Sequence, residues 1–183
     1  MARNWKTLSS KIVYKNHWIK IHEDKVLRPD SQEGIYAYLE KPAGTFTIAL
    51  DKTNHIYLIK EYRYPIKSTI IQLPAGVMET NNIIQQAKKE LLEETGITAH
   101  KWEKLGRFYV GAGHETTPVN VVLATDLDVS ELKTGNQEND EAIQKIIKIS
   151  LPELKELIVK GKIKCGITLA ALNIFLLKQQ KNN

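Results

Sequence analysis

One cysteine, Cys165, stands in a chain of 183 residues. That excludes an intramolecular disulfide and any cysteine-based zinc cluster, and it suits a reducing compartment. No apolar run approaches the ~20 residues needed to span a bilayer. The stretch Met1 to Lys20 carries no apolar core of the length a signal peptide needs. The expectation is a cytoplasmic protein with no membrane association. Internal repeats and low-complexity blocks are absent as well, which sets aside solenoids and linker-like segments.

What is present is an ordinary globular balance, with 42% hydrophobic and 26% charged residues, against disorder. The length suits one domain with a small appendage and is enough to bury a sizeable core. The net charge is +5 and the pI about 9.1. A basic balance can signal nucleic-acid binding, but the lysines are scattered and no recognised nucleic-acid-binding motif occurs. The charge therefore reads as a solvated basic surface, and no nucleic-acid partner is expected.

Residues 1–42 read as a small antiparallel sheet. The runs Ile12 to Tyr14, Trp18 to Ile21 and Ile35 to Leu39 favour strands, and Arg28 to Gly34 is a turn. Lys41-Pro-Ala-Gly44 forms the junction to a main domain over 43–183. There Phe46 to Leu50 and His55 to Tyr62 read as strands joined by a turn at Asp51 to Asn54. Asn82 to Thr95 reads as a helix closed by Gly96. Lys104 to Val110, Val119 to Thr125 and Ala142 to Ile149 read as further strands, with Asp126 to Glu141 a long acidic loop. Leu151 to Lys160 and Ile167 to Lys178 read as helices, the first started at Ser150-Leu-Pro152. Strands mixed with flanking helices predict an α/β sandwich.

The chemistry concentrates between Leu73 and Ile97. Glu90, Glu93 and Glu94 stand at i, i+3 and i+4, so they share one helix face beside the apolar set Ile84, Ala87 and Leu91. They occupy the end of the helix that carries partial negative charge, where a carboxylate is disfavoured by ~0.3–1 kcal/mol. Glu90 and Glu94 also repel each other. A divalent cation resolves that conflict, and clustered hard oxygens are what magnesium, or manganese in its place, takes. Ahead of the helix, Ile70-Ile71-Gln72-Leu73 enters a Pro-Ala-Gly turn, where Gly76 allows close backbone approach.

This stretch resembles the Nudix box, G-x5-E-x7-R-E-U-x-E-E-x-G-U with U aliphatic. Lys89-Glu-Leu-Leu-Glu-Glu-Thr-Gly-Ile97 matches its second half except at the first position, and Gly76 matches its opening glycine. Trp5 to Tyr14, Glu61-Tyr-Arg-Tyr-Pro65, Gln72-Leu-Pro-Ala-Gly76 and Val159-Lys-Gly-Lys-Ile163 look like the ADP-ribose pyrophosphatase branch of that family. The resemblance implies a Nudix-type α/β/α sandwich with a mixed sheet, preceded by the small N-terminal antiparallel sheet. It implies N-terminal strands that help form a homodimer. The implied reaction is magnesium-dependent hydrolysis of the pyrophosphate bond of a nucleoside diphosphate sugar, ADP-ribose giving AMP and ribose 5-phosphate.

The resemblance also assigns roles. Glu90 and Glu94 are the metal ligands, with the carbonyl of Ala75 as a backbone ligand and Glu93 next. The general base falls in the acidic loop, with Glu141 first and Glu138 and Asp140 beside it. Arg63 contacts the diphosphate or its surround, as a guanidinium fork suits. Read from the residues and not from the resemblance, Glu115 is a candidate for a metal or positioning role and His114 beside it a candidate to contact phosphate or ribose, although a loop histidine of this kind more often has no such role. Tyr62, Tyr64 and Trp18 are candidates to stack on a base, although aromatics in strands more often fill cores.

Three departures from the box stand out. The spacing from Gly76 to Lys89 is one residue short. Asn81 and Asn82 occupy the region of the loop glutamate. The box arginine is Lys89, a point charge in place of a fork, so Glu90 or Glu93 is expected to be less firmly oriented and turnover lower. Competing readings are GDP-mannose or another nucleoside-diphosphate-linked substrate, a non-catalytic nucleotide-binding module, and a nucleic-acid binder. Retention of three mutually repelling carboxylates argues against the second.

Overall fold

A computed structural model describes residues 4–132 and 142–181. The chain divides into two units, one made of 1–43 with 108–118, the other of 44–107 with 119–183. The first holds strands β1 (Lys6–Lys15), β2 (Lys20–Leu27) and β3 (Glu33–Glu40), an antiparallel sheet in that order. Two register shifts bend β1 near Thr7/Ser9 and Ile12/Tyr14. The segment Gly111 to Thr116 lies along the edge of β3, with Leu39 N–H donating to the His114 carbonyl at 2.9 Å and Thr116 N–H to the Leu39 carbonyl at 3.0 Å. The predicted segment 1–42 lies within this unit.

The second unit is built on β4 (Gly44–Leu50), β5 (His55–Arg63), a 3-10 turn at Tyr64–Ile66, β6 (Ser68–Gln72), β7 (Ala75–Val77), α1 (Ile83–Thr95), β8 (Thr98–Tyr109), β9 (Pro118–Asp128), β10 (Ile143–Ser150), α2 (Leu151–Val159) and α3 (Gly166–Lys181). Its sheet runs β10-β5-β4-β9-β8, with β6 paired to β5 and β7 to β4. Only β4 and β9 are parallel among the registered pairs, so the sheet is mixed as expected. Thr45 to Leu50, Ile56 to Ile59 and Val119 to Ala124 are buried at every position. Strands apolar and buried without alternation are covered on both faces, which is the layering of an α/β sandwich. Among the described residues no helix is long and apolar enough to cross a membrane.

Several elements differ from expectation. β9 continues to Asp128, into the predicted acidic loop, and β8 begins at Thr98, six positions before the predicted Lys104. The residues gained, Asp126 to Asp128 and Thr98 to Glu103, are mostly polar and are held in their strands by neighbour pairing. The three-residue β7 and the 3-10 turn are too short to leave a period in sequence.

The helices carry their own punctuation. Asn82 caps α1, its side-chain oxygen accepting from the N–H groups of Ile84 and Gln85, each at 3.1 Å. Gly96 closes it at φ 72°, the left-handed conformation that costs glycine least. Ser150 and Glu153 form a capping box at the start of α2.

The turn between β4 and β5 centres on Asp51. Its Oδ1 accepts from Thr53 N–H (2.8 Å), Thr53 Oγ1 (2.8 Å) and His55 N–H (2.9 Å), and its Oδ2 pairs with Lys148 Nζ at 2.8 Å. Burial alone would raise this carboxyl, but Lys148 and the turn donors hold it well below the usual carboxylate range. A depressed folded-state pKa means that the unfolded chain binds the proton more tightly. The contribution is present above the unfolded value and is lost as pH falls from about 5 downward. Asp51→Ala is expected to lower stability by about 1–3 kcal/mol at neutral pH. The deficit should narrow as pH falls, measured by urea unfolding between pH 7 and pH 3.

Candidate active site

Helix α1 is locked in phase by its apolar side. Leu91 is fully buried in a cluster with Ala49, Tyr57, Ile97 and Ala124. With Leu91 inward, Glu90 and Glu94 flank the core rather than solvent, at 8% and 2% exposure. Glu93 points outward and is partly exposed. No basic residue stands in the last turn. Two carboxylates are thus buried where the helix dipole opposes them.

Strand β7 receives them. Glu94 Oε2 accepts from the Ala75 N–H at 2.8 Å. Glu90 lies so close to Gly76 that a Cβ on Gly76 would stand 1.9 Å from the Glu90 Cδ and 2.0 Å from its Oε1. Glycine is required here by close approach, not by backbone angle. Gln86, 1% exposed, donates from Nε2 to Glu90 Oε1 at 2.7 Å and accepts from the Glu79 N–H at 3.1 Å. Burial raises the Glu90 carboxyl above its usual value, with the Gln86 hydrogen bond and the Lys89 charge acting the other way.

Lys89 behaves differently from the box arginine it replaces. Its Nζ meets both oxygens of Glu79 at 2.9 Å and comes only within 3.9 Å of Glu93. Glu79, three residues after Gly76, therefore supplies an acid to the loop where Asn81 and Asn82 carry none. The expected loosening of Glu90 is offset by Gln86 and by the Gly76 cradle. Neither Glu79 nor Gln86 was identifiable from sequence, because a loop glutamate and a helical glutamine carry no spacing signature of their own.

A Mg2+ or Mn2+ ion fits these residues by donor chemistry, two buried carboxylates held against the Ala75–Gly76 backbone. Such ions commonly take one or two carboxylates and complete their shell with water and substrate phosphates. Among the described residues no three His, Cys, Asp or Glu side chains converge on one point. Further ligands would come from backbone, water or substrate.

Arg63 ends β5 and is tied to buried neighbours. Its Nη1 meets Glu61 Oε1 at 2.8 Å, its Nε donates to Gln72 Oε1 at 3.1 Å, and Gln72 Nε2 donates to Glu61 Oε2 at 2.8 Å. Burial raises the Glu61 carboxyl, opposed by Arg63. Tyr62 is partly exposed and its N–H donates to the Ala142 carbonyl at 3.1 Å. Tyr64 is exposed, with Lys67 Nζ over its ring.

Glu115, His114 and Trp18 belong to the N-terminal unit. Glu115 is buried and pairs with Lys41 Nζ at 3.0 Å. It borders a cavity of about 330 Å³ walled by Trp5, Tyr36 and Tyr38. Asp24 shares that cavity, and its Oδ1 has no hydrogen-bond partner among the described residues. The His114 ring covers Gly111. Trp18 is 68% exposed at the β1–β2 turn. Glu138, Asp140 and Glu141 lie outside the described residues.

Known proteins resemble this chain in sequence and in fold. A family model described as the NUDIX domain matches residues 40–164, and one described as the nucleoside diphosphate sugar hydrolase N-terminal domain matches residues 5–39. A Bacillus subtilis (strain 168) protein named ADP-ribose pyrophosphatase is 27% identical over 175 residues, 95% of this chain and 94% of its own. A Bacillus methanolicus protein named methanol dehydrogenase activator is 26% identical over 175 residues, with the same coverage of 95% and 94%. A crystal structure of an ADP compounds hydrolase shares the fold with a TM-score of 0.83 and 16% identity, covering 98% of this chain and 96% of that one.

Gly76→Ala forces the Glu90 carboxylate, the movable end of a side chain, out of its seat. The expected result is a retained fold with divalent-ion affinity lowered at least ~10-fold, read by titrating Mn2+ and following its electron paramagnetic resonance signal.

Proposed function

This chain belongs to the NUDIX family, and on that premise we propose that it cleaves the pyrophosphate bond of a nucleoside diphosphate sugar in a magnesium-dependent hydrolysis. ADP-ribose is the substrate we favour, with AMP and ribose 5-phosphate as products. The observation that carries the reading is the seating of the Glu90 and Glu94 carboxylates against Ala75 and Gly76. Two carboxylates buried near the end of a helix, where the helix dipole disfavours their charge, support a cation-binding role for them.

Glu90, Glu94 and the Ala75 carbonyl are the groups that would hold the metal, with Glu93 beside them. Bound there, Mg2+ or Mn2+ supplies charge neutralisation on the diphosphate and a lowered pKa for water. Arg63 presents its guanidinium to the same diphosphate. Glu141 takes the proton of the attacking water, with Glu138 and Glu93 as alternative bases. Water attacks one phosphorus, the bridging P–O bond breaks, and the proton ends in solvent after leaving the base. Little covalent work falls to the protein, so positioning dominates. Tyr62 completes the substrate contacts we assign.

A homodimer and a cytoplasmic location belong to the proposal. The dimer is supported by β1, exposed at every position although Trp5, Leu8, Ile12, Val13 and Tyr14 lie on or beside it. The location is supported by the single cysteine.

The test is release of AMP from ADP-ribose by the purified protein with Mg2+, followed by chromatography with GDP-mannose alongside. Glu94→Gln is expected to cut turnover by roughly 100-fold or more, beyond the effect of outer-shell partners, with an unchanged circular dichroism spectrum. Full activity in that variant would remove Glu94 from the metal site. Light scattering during size exclusion is expected to give twice the chain mass of 20.8 kDa, and Val13→Lys to shift it toward the monomer.

A further inference from the structure

The register of β5 and β6 brings three polar side chains to one face. Residues two apart on a strand share a face, so Ile59, Glu61 and Arg63 align along β5. They stand opposite Gln72, Ile70 and Ser68 respectively. Gln72 is thus the diagonal neighbour of Glu61, within reach of a long side chain. The three polar groups close a ring: Arg63 to Glu61, Arg63 to Gln72, Gln72 to Glu61.

Gln72 is 1% exposed and Glu61 6%, whereas the Arg63 side chain is 41% exposed. The buried pair therefore serves the exposed member. An Arg–Glu contact through one N–H leaves the guanidinium able to pivot. A second contact, from Nε to Gln72 Oε1, removes that freedom. The amide can face only one way. Flipped, its NH2 would oppose the Arg63 N–H and its oxygen would oppose the Glu61 carboxylate. The ring commits one N–H on Nε and one on Nη1, and it leaves the Nη2 edge for other acceptors. Gln72 is followed by Leu73-Pro74 and then by Ala75, whose N–H holds Glu94.

We propose that Gln72 is a positioning residue: it fixes the Arg63 guanidinium in one orientation, so that its outer edge is preset for the substrate diphosphate. This rests on the reading of Arg63 as a diphosphate contact. Gln72 itself touches no substrate.

The experiment is a double-mutant cycle with Gln72→Met, Arg63→Ala and the double variant. KM and kcat are measured for ADP-ribose with Mg2+, and affinity for ADP-ribose by calorimetry in EDTA, with AMP as the probe lacking a diphosphate. Gln72→Met is expected to raise KM and weaken ADP-ribose binding about 10-fold, to change kcat less than about 2-fold, and to leave AMP binding unchanged. In the Arg63→Ala background it should add nothing. An undiminished effect there, or no effect in the single variant while Arg63→Ala raises KM, overturns the positioning role and leaves the hydrolase reading standing. An Arg63→Ala variant with wild-type KM also overturns it. Wild-type protein that neither binds nor cleaves ADP-ribose or GDP-mannose overturns both readings. Should Gln72→Met fail to melt cooperatively, Gln72→Leu takes its place; it too removes the acceptor for Arg63 Nε and the donor to Glu61, and the same rise in KM is expected.

Discussion

The site depends on one close approach, that of the Glu90 carboxylate to Gly76. It requires α1 to lie against β7 with no side chain between them, and the rest of the unit arranges this. Leu91 drives the helix face into the core formed with β4, β5 and β9. Asn82 and Gly96 set where the helix begins and ends. Pairing of β7 with β4 presents the Ala75 and Gly76 backbone to the carboxylates. A buried carboxylate is costly unless partnered, and here an amide N–H and a glutamine are among the partners.

The same device recurs at β5 and β6, where a buried carboxylate, Glu61, and a buried glutamine hold a more exposed cation. Both arrangements use an uncharged amide side chain to fix a charged one. Gln86 serves Glu90 as Gln72 serves Arg63. An amide offers a donor and an acceptor without adding charge to a site that already carries repelling groups. This is how the chain accommodates Lys89 where the NUDIX box has arginine. Lys89 turns to Glu79, and the orientation of Glu90 passes to Gln86.

Much of the fold was legible. Helix α1 was read over Asn82 to Thr95 because its apolar period and the left-handed terminator Gly96 agree with each other; that Asn82 stands outside it as the cap came from the structure. The central strands were read from unbroken β-branched runs. The turn at Asp51 to Asn54 was read from its residues, and Asn54 takes the positive φ of 59° that asparagine tolerates. Strand β7 was not read, since three residues after a proline are held by pairing alone. The extent of β9 was missed because Asp126 to Asp128 look like loop, yet the strand carries on through them.

By itself the sequence determined the carboxylate face of α1, the glycine that closes it, the Gly76 before it and the family to which the chain belongs, since all of these are local in spacing and composition. Only the tertiary structure decided which groups hold those carboxylates. Glu94 meets the amide of a residue 19 positions earlier, and Glu61 meets Gln72 through strand register. Glutamine has no chemical signature in a sequence. Its role is set by the two groups between which folding places it, and a charge in the core must be satisfied by whatever the packing brings within hydrogen-bond reach.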